Sequence, residues 1–229
     1  IRGEEWISST PRHVLIHDAL GWNYPKYVHV SLILGKDKSK LSKRHRAESA
    51  LDYKEKGYLP EAILNFLALL GWSPGDNSEI MSKNEIINKF SIDRILSHPA
   101  VFDPEKLEWM NGSYIRNLDD KELSNKILSE VNKSKEDGGL LSDEVSIKMI
   151  KDKIVQLTPL VRERLKKISD SSQLLEYFFY DKLDIKKESL IPKKIEPNQI
   201  IEGLSSSVDL IESFKNFEPI ALEEEFRKL

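Results

Sequence analysis

Apolar residues recur along this chain with two periods, and the change from one to the other divides it. Residues 1–6 read as the end of a buried strand running into a polar turn, and residues 27–34 are short and rich in Val, Ile and Leu, which predicts a second strand. Between them, Thr10-Pro11 predicts a helix start: the Thr hydroxyl can cap a free backbone N–H, and Pro sits where no N–H is needed. That helix carries Val14, Leu15 and Ala19 and should stop at Gly21 in a left-handed turn. Strand, helix and strand make an α/β unit too small to be a domain by itself. Its pairing partners are expected upstream of Ile1, which would leave it here without neighbours.

From Ser49 onward the period is helical. A short helix should close at Gly57, and Pro60 should open another over residues 61–70, where Ile63, Leu64, Phe66, Leu67 and Leu70 cover more than one face and predict burial on several sides. Three helix starts share one device, a capping residue preceded by an apolar residue that can pack one turn ahead. These are Ser82 with Met81 over Ile86, Asp103 with Phe102 over Leu107, and Asp119 with Leu118 over Leu123. Residues 134–139 should form an exposed turn. Further helices are expected at about 143–156, 159–168 and 172–180, then, beyond a basic and Pro-broken stretch with a junction near Ile191, at 199–204, 208–216 and 221–229.

Composition narrows the class. With 39% hydrophobic and 32% charged residues the pattern fits a soluble protein, and no apolar run approaches the ~20 residues needed to cross a bilayer. Cys is absent, so disulfides and thiolate metal sites are excluded. A net charge of -3 argues against uniform coating of nucleic acid but permits local positive patches. No zinc-spaced His cluster or phosphate-binding glycine signature is present.

One such patch stands out. Residues 35–46 place Lys36, Lys38, Lys40, Lys43, Arg44 and Arg46 in a run softened by Gly and Ser, which is suited to closing over an anion. Lys40 and Lys43 can present two ammonium groups to one polyphosphate, with Ser42 as a short donor between them. Arg2 could grip a carboxylate in bidentate form or sit in a surface ion pair. The adjacent Glu4 and Glu5 could face water or bind ribose hydroxyls and amide donors; His45 could contact phosphate or simply be exposed.

The segment Lys40-Leu41-Ser42-Lys43-Arg44 resembles the lysine-serine-lysine signature loop of class I aminoacyl-tRNA synthetases. The stretches Ile1-Arg2-Gly3-Glu4-Glu5-Trp6, Ser9-Thr10-Pro11 and Ala19-Leu20-Gly21-Trp22 resemble the segment N-terminal to that loop in bacterial-type glutamyl-tRNA synthetases. Gly57-Tyr58-Leu59-Pro60-Glu61-Ala62, Leu69-Leu70-Gly71-Trp72, Phe102-Asp103-Pro104-Glu105-Lys106-Leu107 and Trp109-Met110-Asn111-Gly112 resemble the helical region C-terminal to it. The resemblance is carried by residues 1–116; beyond them it lies in helical character and charge.

The resemblance implies a mainly α chain: the C-terminal edge of an α/β catalytic domain (1–47), a helical stem-contact region (48–116), a first helical anticodon-binding subdomain (117–190) and the start of a second (191–229). It implies that Arg2 binds L-glutamate, that Glu5 and Trp6 line the ATP and acceptor-end pocket, and that Lys40, Ser42 and Lys43 belong to the ATP loop. Trp6 stands where many relatives carry His. ATP, Mg²⁺ held through its phosphates, and tRNA(Glu) would be the partners of a monomeric, cytoplasmic parent enzyme, with no zinc site in this stretch and no membrane. The chain begins without Met and is expected to lack the nucleotide-binding half and the extreme C-terminus of that parent, so alone it should bind tRNA weakly without making adenylate. The alternative reading is a non-catalytic tRNA-binding or helical interaction module.

Overall fold

A computed structural model describes residues 1–41, 49–180, 196–215 and 217–228. The chain divides into two compact units, Ile1–Asp181 and Lys182–Leu229.

The first unit begins with β1 (Arg2–Gly3), a 3-10 turn at Glu4–Ser9, α1 (Thr10–Leu20) and β2 (His29–Val30). Strands β1 and β2 pair in parallel, Arg2 opposite His29 and Gly3 opposite Val30, so the strand, helix and strand unit forms as its pattern predicts. Gly21 ends α1 at φ 69, the left-handed conformation that the missing Cβ makes cheap. Thr10 departs from expectation: it lies inside the helix and makes no cap bond, its hydroxyl donating instead to the Trp6 carbonyl at 3.0 Å.

The strand predicted at 27–34 is two strands. After β2 the chain changes neighbours: the Leu32 N–H donates to Glu4 Oε1 at 3.3 Å, and β3 (Ile33–Leu34) pairs in parallel with β4 (Ala100–Val101). The α/β unit is therefore not left without partners. A two-residue strand from the helical region extends it, and the Phe102 N–H donating to the Leu34 carbonyl at 2.8 Å continues the ladder.

Helices α2 (Ala50–Glu55), α3 (Pro60–Gly71), α4 (Lys83–Lys89) and α5 (Pro104–Arg116) come next. Ser49 with Asp52 and Ser82 with Glu85 form reciprocal capping boxes, while Asp103 accepts from the Glu105 N–H. Met81 and Ile86 share one buried cluster with Trp72, and Phe102 packs with Phe66 and Leu107 in another. The Phe66 and Phe102 rings meet edge to face at 5.1 Å, a favoured aromatic geometry. Helix α3 buries Ala62, Asn65 and Phe66, while Leu64 and Leu67 are 41% and 50% exposed, so one side stays open and the burial expected on several sides is narrower at these two residues.

The largest core lies between α6 (Asp120–Val131), α7 (Ile147–Arg162) and α8 (Asp170–Leu175). Leu123, Ile127 and Val131 of α6 repeat at helical spacing and face Ile150, Ile154, Leu157 and Val161 of α7. The break expected at Pro159 does not occur. Pro159 lies in the last turn of α7, and the carbonyl it deprives of a donor belongs to Val155, which is exposed and can be hydrated. Buried Leu157, Thr158 and Val161 hold the helix on its other face. The buried side chain of Asn111 locks the elements together: it accepts from the Leu59 N–H at 2.8 Å and donates to the Lys166 carbonyl at 2.6 Å.

The second unit contains α9 (Pro197–Ser213) and α10 (Pro219–Phe226). Separate helices were expected at 199–204 and 208–216, but α9 runs on through the Ser205-Ser206-Ser207 run, where the Ser207 hydroxyl donates to the Gly203 carbonyl at 2.7 Å instead of competing for a turn. The junction expected at Ile191 lies outside the described residues.

Candidate functional site

Of the candidate residues, Glu5 and Lys40 meet where the turn after β1 approaches the described part of the basic run. Leu34 and Lys40 form an antiparallel bridge, and the Leu41 N–H donates to the Ile33 carbonyl at 2.9 Å, so residues 33–41 form a tight hairpin. Its tip is set by the Lys38 N–H donating to the Gly35 carbonyl, by Lys38 in the left-handed region at φ 61, and by Asp37 accepting from the Ser39 backbone and hydroxyl. The hairpin delivers Lys40 to Glu5, Nζ lying 3.6 Å from Oε1 with more than half of the Lys side chain exposed. Two residues expected at the ATP site are thus brought together. Ser42 and Lys43, with Arg44, His45 and Arg46, lie outside the described residues.

Gly3 gives Glu5 its place. A Cβ at Gly3 would lie 2.0 Å from Glu5 Oε2, so any larger residue would push that carboxylate aside. Trp6 is 53% exposed and makes no part of the core. Its carbonyl accepts from the hydroxyls of Ser9 and Thr10, so the backbone of this residue is engaged while the ring is free to meet a ligand.

Arg2 is half-buried and directional. Its Nε donates to His29 Nε2 at 3.2 Å and its Nη2 to Thr10 Oγ1 at 2.7 Å, while the guanidinium carbon lies 5.4 Å from the centre of the Tyr27 ring. Among the described residues Arg2 makes no ion pair; the two side chains it donates to are those of His29 and Thr10. Residue type alone did not single out His29 and Thr10 as members of this site. The signal that could have found them is the parallel pairing of β1 with β2, which sets His29 opposite Arg2.

Lys36, another cation of the basic run, is turned away. Its Nζ lies 2.6 Å from Glu105 Oε1 and 3.9 Å from Asp103 Oδ1, at the start of α5. The hydrogen bond with Glu105 is the main reason its pKa is raised above the ordinary lysine value. Beside this pair a cleft of about 720 Å³ runs along the hairpin, lined by Leu41, Tyr53, Phe66, Leu67 and Phe102. Among the described residues, no three His, Cys, Asp or Glu side chains converge as a metal site, and no helix is long and apolar enough to cross a membrane.

Residues 1–109 match the family model for class I tRNA synthetases of the glutamate and glutamine type, catalytic domain. A glutamate–tRNA ligase from Dehalococcoides mccartyi is 37% identical over the whole chain, which covers 46% of that relative. Another from Carboxydothermus hydrogenoformans is 59% identical over 117 residues, 51% of this chain and 24% of the relative. Two solved structures are also similar at 30% identity: a glutamate–tRNA ligase from Elizabethkingia meningosepticum in complex with its amino acid, with a TM-score of 0.65 over 93% of this chain and 44% of that one, and the enzyme from Elizabethkingia anophelis, with a TM-score of 0.67 over 97% and 45%. The fold and the match over residues 1–109 thus point to a class I synthetase catalytic region. Residues 1–109 are similar to the catalytic domain of class I tRNA synthetases of the glutamate and glutamine type, and the chain spans about 46% of the length of the first relatives it matches.

Proposed function

We propose that this chain works in a glutamate–tRNA ligase, which joins L-glutamate to ATP as glutamyl-adenylate and then transfers the glutamyl group to the 3′-terminal adenosine of tRNA(Glu). The observations that support this most are the meeting of Lys40 with Glu5 and the hold of His29 and Thr10 on Arg2.

In the first step a glutamate carboxylate oxygen attacks the α-phosphorus, and pyrophosphate leaves. Negative charge grows on the leaving group, so Lys40, Lys43 and Ser42 act by placing ammonium charge and a hydroxyl donor against it. Neither lysine needs to exchange a proton, because the role is electrostatic. The long, exposed pair of Lys40 with Glu5 is of a kind worth little in water, so Lys40 can leave it for a triphosphate at small cost. Mg²⁺ would arrive on the ATP phosphates. Arg2 holds a substrate carboxylate, while Glu5 and Trp6 face the nucleotide and the acceptor end. In the second step a ribose hydroxyl attacks the activated carbonyl, and AMP leaves.

In this reading residues 1–47 are the edge of the catalytic domain, 48–116 the stem-contact region, 117–190 the first anticodon-binding subdomain and 191–229 the start of the second. The pairing of β3 with β4 makes the boundary at 47 one of function more than of packing. The division into two compact units after Asp181 supports a break shortly before 191. The working compartment is the cytoplasm, and the 229-residue chain by itself binds tRNA weakly without forming adenylate.

The test is charging of tRNA(Glu) with labelled glutamate by a full-length ligase that carries this segment. Glutamate-specific charging is the expected result. Binding of tRNA with no charging would favour the non-catalytic module and reject the proposal.

A further inference from the structure

We propose that His29 and Thr10 are positioning residues that fix the orientation of Arg2, so that it presents only one edge of its guanidinium to the substrate carboxylate. This inference rests on the reading of Arg2 as the glutamate-binding residue.

A guanidinium offers five N–H donors in a rigid plane. The pair on Nε and Nη2 forms one edge, and each member of it is occupied: Nε donates to His29 Nε2 at 3.2 Å, and Nη2 donates to Thr10 Oγ1 at 2.7 Å. A carboxylate arriving at Arg2 therefore meets the end of the plane, where both Nη1 protons and the second Nη2 proton remain. Bidentate capture there is still possible, but from one direction only. The register of the sheet builds this arrangement in, because Arg2 and His29 are cross-strand partners and the Arg2 N–H is anchored on the Val28 carbonyl at 3.0 Å.

The two acceptors also constrain one another. Accepting from Arg2 requires a lone pair on His29 Nε2. Thr10 has one hydroxyl proton, which it donates to the Trp6 carbonyl at 3.0 Å, leaving its oxygen free to accept from Arg2. Thr10 Oγ1 also lies 3.1 Å from His29 Nε2, a proximity that adds no hydrogen bond while Nε2 accepts from Arg2 and the Thr10 proton is on the Trp6 carbonyl. The guanidinium carbon lies over the Tyr27 ring, 5.4 Å from its centre, a further favourable contact for the cation.

The experiment measures glutamate-dependent pyrophosphate exchange in a full-length ligase carrying this segment, with KM for glutamate, KM for ATP and kcat determined separately. Variants are His29→Leu, His29→Gln, Thr10→Val and Arg2→Ala. Loss of one charge-assisted bond should raise the glutamate KM about tenfold in His29→Leu and in Thr10→Val, with the ATP KM within about twofold. His29→Gln restores an acceptor near the Nε2 position and should bring the glutamate KM back to within about threefold of the parent. Equal rises in both KM values, or a Gln variant as impaired as Leu, would overturn the positioning role and leave a structural one. If Arg2→Ala raises the glutamate KM while His29→Leu and Thr10→Val do not, positioning alone fails. If Arg2→Ala leaves it unchanged, the reading of Arg2 itself is wrong. Should His29→Leu fail to fold, Thr10→Val decides the question through the same split.

Discussion

Lys36 Nζ and Glu105 Oε1 lie 2.6 Å apart, although 69 residues separate them in the chain. The pair ties the hairpin that carries Lys40 to the first turn of α5, next to the β3–β4 ladder. It is exposed, so its effect should be on the placement of the hairpin more than on folding. In the full-length ligase, Lys36→Ala should raise the ATP KM roughly two- to fivefold. The charge-reversed double variant Lys36→Glu with Glu105→Lys should recover most of it. A double variant worse than either single one would show that the pair has no positioning role.

Gly57 and Gly21 share a left-handed backbone, with φ 80 and φ 69, but differ in their surroundings. A Cβ at Gly57 would stand 2.5 Å from the Ser169 backbone nitrogen, whereas at Gly21 it meets nothing within 4 Å. Gly21→Ala should therefore cost only the backbone strain, about 1–2 kcal/mol. Gly57→Ala adds the overpacking of a main-chain contact, for a total of roughly 2–5 kcal/mol. Urea unfolding of the two variants checks the difference, and equal costs would contradict the close approach.

Capping boxes such as Ser82 with Glu85 were legible in the sequence because the bonding partners sit three residues apart, and the staple of Met81 on Ile86 belongs to the same turn. Gly57 was readable as a stop, but its contact with Ser169 depends on packing between distant segments. Likewise nothing local tells Ile33 that its neighbour will be Ala100, or Thr10 that its hydroxyl will hold Arg2 and not a helix end. Pro159 misled because a helix tolerates Pro where the orphaned carbonyl faces outward, and that requires knowing which side is buried. Lys40, Glu5 and Arg2 could be singled out from residue type and motif; the hydrogen bonds that orient Arg2 could not.

Tyr114 supplies a pH-dependent contribution. Its hydroxyl donates to the Met81 carbonyl at 2.6 Å and lies 2.8 Å from Asn65 Oδ1, inside the junction of α3, α4 and α5. Burial raises its pKa above the ordinary 10.0, with the negative charges of Glu61 and Glu85 adding to the effect. The folded chain thus holds the phenol proton more tightly than the unfolded one. This stabilisation is fully present below pH 10 and is lost as pH rises through the folded-state pKa. The stability gap between the parent and Tyr114→Phe, tracked by urea midpoints from about pH 8 to 11, should be flat and then narrow on the alkaline side. A gap that widens there would mean that folding lowers the phenol pKa instead of raising it.

The most direct test of the account is glutamate-dependent ATP–pyrophosphate exchange by a full-length ligase carrying this segment, comparing the parent with Lys40→Ala. Lys40 is exposed, so the variant should stay folded, and its 3.6 Å pair with Glu5 puts it within reach of the proposed nucleotide site. The loss of transition-state charge compensation should lower the exchange rate at saturating ATP by roughly 10²-fold or more, with the glutamate KM little changed. A fall of less than about threefold would contradict the account, because a cation aimed at departing pyrophosphate cannot be removed at so small a cost.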